Sequence, residues 1–278
     1  MADYFVASGG TNTAPYDTWE KAATSFATAL AAATAEGDNV IIQYNAVPST
    51  DSALSTDTQY YAVANINIIS ASNDGGTSYT PTAMGTGNWI GHSTTNRSVT
   101  MRGWKRVYIF GLTFRTAGTT LDSIYLNTET YGYFTFDNCV LWQGNGQGGI
   151  YLGNTSSSVR GSRTEFLNCT FIFAAVAQAI SVRCTRLIMR SCTLGGSTFP
   201  TSLFIDAYGS GEREVTGCNF LGMSGKTLVG SGSMPSRWVF AQCRLDTGMT
   251  ILAAQACAEG GAEVFLYDTA SSDVHYAF

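Results

Sequence analysis

The chain has 278 residues, a net charge of −5 and only 13% charged residues, about half the share usual for a soluble domain. The acidic balance argues against a nucleic-acid binder, whose footprint is basic. The longest apolar run, FIFAAVA at 171–177, falls far short of a membrane span.

The 30 glycines, with abundant Thr, Ser and Asn, suit a turn-rich β protein. Charge is unevenly spread: residues 97–190 hold ten bases and four acids, between two flanks that are each acidic. That basic waist reads first as a solvated surface and second as a guide for contacts with neighbouring chains. The opening MADYFVASGG has no basic n-region and no apolar h-region, so no export signal is read there. Seven cysteines cannot all pair within the chain, and free thiols are expected. The sequons at Asn96, Asn154 and Asn168 then reflect turn composition.

In chain order, the first predicted element is helical. Asp17-Thr18-Trp19-Glu20 has the form of a capping box, with Asp17 as N-cap. Trp19, Ala22, Ala23, Phe26, Ala29, Leu30 and Ala33 recur at helical spacing, and Gly37 supplies a C-cap. This predicts a helix of about 20 residues, about 30 Å long, lying across the end of whatever follows. Strand-like runs come next at Val40–Tyr44, Tyr60–Ile69 and Val99–Met101.

From there the chain repeats itself. FDNCVL, FLNCTF, MRSCTL, VTGCNF and FAQCRL place Cys139, Cys169, Cys192, Cys218 and Cys243 at intervals of 30, 23, 26 and 25 residues. IFGLTF fits the same frame with Leu112 in the cysteine slot. Such a period is the mark of a solenoid. Three residues before the cysteine stand Ile109, Phe136, Phe166, Met189, Val215 and Phe240; two after it stand Phe114, Leu141, Phe171, Leu194, Phe220 and Leu245. Both columns are apolar and should face inward. Strict strand alternation cannot carry one column into the other, so the phase slips by one residue and a corner is required. The position before the cysteine holds Gly111, Asn138, Asn168, Ser191, Gly217 and Gln242. Gly and Asn tolerate left-handed torsions, so four of these six suit a sharp bend, and Ser191 and Gln242 suit it less well.

The fold expected is all-β: a right-handed, single-stranded parallel β-helix with an N-terminal capping helix. An all-β sandwich would instead show hairpin turns every 8–12 residues or so, and Asn-Gly or Asp-Gly turns are scarce apart from Asp74-Gly75. At about 4.8 Å per rung, roughly nine rungs from Val40 to Asp268 give an axis near 43 Å. One continuous domain is expected, with 1–39 as opening strand and capping helix and 40–278 as the β-helix. A last rung fits Val264–Asp268, and no cap is evident in the closing DVHYAF. An open end exposes strand edges, so a partner or further chain is expected to cover it.

The opening, with Gly9 to Trp19 as GGTNTAPYDTW, the Ala-rich segment and the Gly37-Asp38 exit, resembles the N-terminal part of right-handed parallel β-helix repeat proteins of tailed bacteriophages and prophages. The segment GCNFLGMSGKTLV and the FAQCRL rung fit the same group. The likeness covers most of the chain, and only its opening is distinctive. It implies a virion structural protein (fibre, spike or capsid-decorating component) made in the host cytoplasm, with other virion proteins as partners and a homotrimer as the assembly. This step is analogy, since fold does not set function.

Candidate chemistry is sparse. The cysteine column reads as small buried hydrophobes: stacked strands point Cβ vectors alongside one another, and neither CxxC spacing nor a nearby histidine suggests a metal. No cofactor and no catalytic residue is assigned. The alternative to a structural role is a tailspike-like protein that binds or cleaves host-surface glycan as a glycoside hydrolase or polysaccharide lyase. Hydrolysis needs two carboxylates about 5–9.5 Å apart, and Asp206, Glu212 and Glu214 are the best local cluster. Glu165 shares the column of Glu214. Arg163, Arg186, Glu212 and Arg237 share another, which reads as a surface ion ladder with Glu212 paired to its arginines.

Lyase chemistry would want a base or a carboxylate-bound calcium. Only Lys21, Lys105 and Lys226 are available as lysines, and the familiar signatures of β-helix pectinases are absent. Residues 222–227, GMSGKT, match only the end of a phosphate-binding loop and read as a turn. His92 and His275 lie in no nucleophile motif. Phe134, Phe136, Phe166 and Trp238 read as core. Tyr131, Tyr133, Trp142 and Tyr151 read as outward, available to a sugar ring or a neighbouring protein.

Overall fold

Three parallel sheets run side by side along one coil. A computed structural model describes residues 1–45, 59–85, 87–92, 98–116, 123–127, 131–144, 148–153, 161–174, 179–196, 198–206, 211–230, 236–252 and 263–269. Among them one sheet has eleven strands, one eight and one five. Each strand pairs in parallel with its counterpart one turn later, except the hairpin partner Tyr79–Pro81, which runs antiparallel to Ile66–Asn73. The chain is an all-β parallel solenoid of about six turns with almost no helix.

The expected nine rungs are therefore too many. From Arg106 to Leu252 six successive coils each place a strand or bridge on all three sheets, and Ile66–Asn73, Ile90–His92 and Val99–Gly103 precede them on the same three sheets. The strands Asp3–Val6, Asn39–Gln43 and Glu263–Tyr267 extend the eleven-stranded sheet without completing such a turn. The expected run Tyr60–Ile69 is also split. Gln59–Ala62 joins the eight-stranded sheet, and Ile66–Asn73 turns onto the eleven-stranded one.

The long capping helix does not form. Among the described residues the one helix is Phe26–Ala32, seven residues, with Ser25 as an extended N-cap and Ala33 as C-cap. The backbone upstream is already committed elsewhere. Ala23 N–H donates to Phe5 at 2.8 Å, Ala23 carbonyl accepts from Ala7 at 3.0 Å, and Trp19 N–H donates to Gly76 at 2.9 Å. Groups spent in this way cannot close helical turns. Asp17 instead forms an i,i+4 ion pair with Lys21 at 3.1 Å, and Gly37, at φ +86°, turns the chain toward Asn39–Gln43. Trp19 and Ala22 are buried as expected, but against Phe5, Ile41 and Ala71 in a small second core outside the sheet.

The inward columns stand where the repeat places them. Ile109, Phe136, Phe166, Met189, Val215 and Phe240 are in register and fully buried. Phe136 and Phe166 stack at 5.0 Å. The corner is more uniform than composition suggests. Gly111, Asn138, Asn168, Ser191, Gly217 and Gln242 have φ of 71°, 52°, 53°, 54°, 63° and 53°, and Asp268 of the last strand has 44°. Ser191 and Gln242 thus adopt the left-handed bend despite their side chains. The bend aims their N–H groups at the next turn, as Asn168 N–H meets Arg190 carbonyl at 2.9 Å. A β-branched residue resists this region most. Asn168→Val should therefore cost about 2 kcal/mol of stability, while Asn168→Gly should change little. Urea unfolding of the two variants checks it, and equal losses would refute the corner's role.

The cysteine after each corner points inward and stays a free thiol. Cys169 donates to Phe136 carbonyl at 3.3 Å, Cys192 to Phe166 at 3.6 Å and Cys243 to Val215 at 3.4 Å, each in the turn before. The column is apolar packing with a weak donor added, which a leucine in the same slot lacks.

Candidate functional site

The outward face of the eleven-stranded sheet carries most of the paired charge. Register puts Arg163, Arg186, Glu212 and Arg237 in one column. Glu165 and Glu214 share the next column, two strands apart, as the spacing predicts. The ion pairs themselves differ from expectation. Glu214 meets Arg190 at 3.3 Å and Arg186 at 3.9 Å, and Glu165 meets Arg163 and Arg190 at 3.8 Å each.

Glu212 makes no ion pair among the described residues, because both of its neighbours are otherwise engaged. Arg186 reaches across to Glu214, and Arg237 lies over the Phe265 ring at 4.9 Å. Glu165 is only 7% exposed. It also accepts the Tyr133 hydroxyl at 3.0 Å and the Thr135 hydroxyl at 3.4 Å. Arg106 and Arg163 flank the Tyr133 ring at 5.0 and 4.5 Å. A continuous chain of contacts thus links Arg106 to Arg186 across five strands. A shallow pocket of about 260 Å³ lies at its end, between Arg186, Glu212, Glu214 and Arg237.

The sequence-derived carboxylate cluster is split by the fold. Glu212 and Glu214 lie on Gly211–Thr216 of the eleven-stranded sheet. Asp206 ends Ser202–Asp206 of the eight-stranded sheet, at the register position of inward Val182, and its side chain lies outside the described residues. Neighbours in sequence have been separated by a corner. The His92 side chain, His275, Asn96, Asn154 and the closing residues 270–278 also lie outside the described residues.

Residues 222–227 form a turn with its own anion. Gly222 and Ser224 N–H groups donate to the Asp246 carboxylate at 2.8 and 3.2 Å, with Gly222 at φ +95° and Gly225 at +70°. Convergent turn amides of this kind make an anion-binding concavity, and the next turn of the solenoid fills it. Among the described residues no group of three or more His, Cys, Asp or Glu comes together to hold a metal ion. No helix among them is long and apolar enough to cross a membrane.

Of the outward aromatics, Tyr131 is the most exposed at 72%. On the five-stranded sheet Trp142 stacks on Arg115, whose other neighbour is Trp89, at 4.1 and 4.3 Å. Tyr151, on the eight-stranded sheet, stacks on Tyr125 at 4.7 Å with planes 14° apart, and Arg183 lies 4.6 Å from its centroid. Beside that stack opens a hollow of about 460 Å³, lined by Tyr151, Ser181, Arg183, Thr201, Ser202 and Ile205 among others. Arg183 Nε donates to Ser181 Oγ at 3.1 Å, which fixes the guanidinium. Sequence reasoning passed over Ser181 and Arg183. The signal was the triplet series Ile124-Tyr125-Leu126, Ile150-Tyr151-Leu152, Ile180-Ser181-Val182, in which the outward tyrosine becomes a serine. No protein-family model matches this chain, and neither a curated protein nor a solved structure matches it significantly.

Proposed function

We propose that this chain is a non-enzymatic structural protein of a phage virion, a fibre, spike or capsid-decorating component that assembles as a homotrimer with other virion proteins. The observation that carries the reading is the cross-turn ladder on the eleven-stranded sheet. Its carboxylates Glu165 and Glu214 are held by Arg163, Arg186 and Arg190, so they bind turns together. Parallel hydrogen bonding running on from strand to strand suits a stiff element whose outer face varies without disturbing its core. The resemblance of the opening Gly9–Trp19 supports the phage setting.

Mass spectrometry of purified particles should recover the intact chain, and sedimentation of the purified protein should give three copies per assembly. Incubation with host polysaccharide should leave its chain length unchanged. Shortening of the polysaccharide that Glu212→Gln abolishes would overturn the non-enzymatic reading. Absence of the chain from particles would overturn the virion reading.

A further inference from the structure

On the five-stranded sheet the outward column runs Gly91, Arg115, Trp142, Ile172, Gly195 through successive turns. Side chains stacked in a parallel in-register sheet stand about 4.8 Å apart, so each packs on its neighbour in the next turn. Arg115 packs on Trp142 in this way, its guanidinium carbon 4.1 Å from the ring centroid. Toward the preceding turn the column offers only Gly91. A Cβ there would collide with the Arg115 carbonyl, so no side chain fits. Trp89, just ahead of Ile90–His92 and only 5% exposed, covers that side instead and brings its ring centroid to 4.3 Å.

A guanidinium gripped by indoles on both faces is held in one plane. Its N–H donors lie in that plane, so hydrogen bonding is left to its edge. Donors at this spot are unpaired. Among the described residues, Arg115 Nε and Trp89 Nε1 are both buried without a hydrogen-bond partner. Buried donors of that kind are costly and few in folded proteins. Both groups are N–H donors, so neither serves the other, and only an acceptor can serve them. Burial also pulls the Arg115 guanidinium below its ordinary value, which a negative partner reverses. Arg115 is itself half-buried, so part of the side chain still faces solvent.

We propose that Arg115, between Trp89 and Trp142, binds the carboxylate of a small planar organic acid. Both carboxylate oxygens lie in the guanidinium plane and accept its parallel donors. A tetrahedral anion fits less well, because it carries oxygens out of that plane and against the indoles. The two rings give the planar body of the acid an apolar border. The site lies on a different sheet from the ion ladder and does not depend on any role in a particle.

The test is a titration of the isotopically labelled full-length protein with sodium benzoate at constant ionic strength. It is followed by the indole N–H resonance of Trp89, identified as the one lost in Trp89→Phe. Benzamide is the uncharged counterpart, and sodium phosphate and sodium sulfate are the tetrahedral anions. Benzoate should move the resonance saturably and bind about tenfold or more tighter than all three. It should also raise the urea midpoint of the unaltered chain, which benzamide should not do. Arg115→Lys keeps the charge but loses the planar fork, and should weaken benzoate about tenfold or more. The proposal is overturned if benzoate leaves the Trp89 resonance in place, or if benzamide binds as tightly. A folded Arg115→Lys variant that binds benzoate like the unaltered chain would overturn it too. Phosphate or sulfate matching benzoate would mark an adventitious ion only and would overturn it equally.

Discussion

Raising the pH through 9 toward 12 is expected to unfold the solenoid in a steep transition, driven by its thiol column. Burial pushes the Cys169 thiol well above the ordinary range. Cys192 is pushed up to about 12, first by its contact with the Cys169 thiol of the turn before, and Cys218 to about 12, first by its contact with Cys192. Cys243 is raised as well, first by Cys218 and then by burial. In the unfolded chain these thiols ionise near 8.5 or so. Above that pH the folded state holds more protons than the unfolded one, so stability falls as pH rises.

The contribution is fully present below the unfolded value and is lost as pH climbs toward the folded one. Each thiol removes up to about 1.4 kcal/mol per pH unit, so these four together remove about 5. A folded domain has about 5–15 kcal/mol in reserve, so roughly two pH units would exhaust it. Far-UV circular dichroism against pH should place the midpoint between about 10 and 11.

Replacing Cys192 and Cys218 by Ala should flatten the dependence of stability on pH by about 3 kcal/mol per unit, even though the smaller side chains lower stability at pH 7. Site-resolved maleimide labelling at pH 8 should leave the five column thiols unmodified until urea unfolds the chain. An alkaline limb unaltered by the double replacement would refute the assignment to thiols.

The second large effect is expected from Phe166→Ala, a loss of about 3–5 kcal/mol. Phe166 is fully buried, stacked on Phe136 at 5.0 Å and edge-on to Phe171 at 5.1 Å. It is one of the points where inward columns from two sheets touch, as Phe114–Phe136 and Phe220–Phe240 are in other turns. The turns above and below cannot close the void without leaving register, because their strands are pinned by parallel hydrogen bonds on both sides. Urea unfolding should show the loss as a lower midpoint. Tyr131→Ala, at a site 72% exposed, should stay within about 0.5 kcal/mol. A Phe166→Ala loss below about 1 kcal/mol would mean that the column is not the core of the fold.

The repeat was legible because every turn solves the same local problem. Phe136, Phe166 and Phe240 face inward by strand alternation, and the residue before each cysteine turns the corner. That local logic even reached Asp268, the corner residue of the last strand, at φ 44°. The N-terminal helix misled for the opposite reason. Trp19, Ala22 and Ala23 have helical spacing, but Phe5 and Gly76 compete for their backbone groups, and no helical pattern reveals such distant partners. The carboxylates show the same limit. Glu214 rather than Glu212 is the ion-ladder member because Arg190 lies within its reach. Asp206 is carried to another sheet by a corner.

Sequence alone determined the coil, its inward columns and the left-handed corners, since each depends on residues within about one strand of each other. Tertiary structure decided the length of the helix, the partners of each charge and the hollow beside Arg183. Those depend on which residues meet across a turn, and that register is set by excursions of differing length, so that Tyr151 and Ser181 become neighbours. The packing of Arg115 between Trp89 and Trp142 is likewise a property of that stacking, and no single strand contains it.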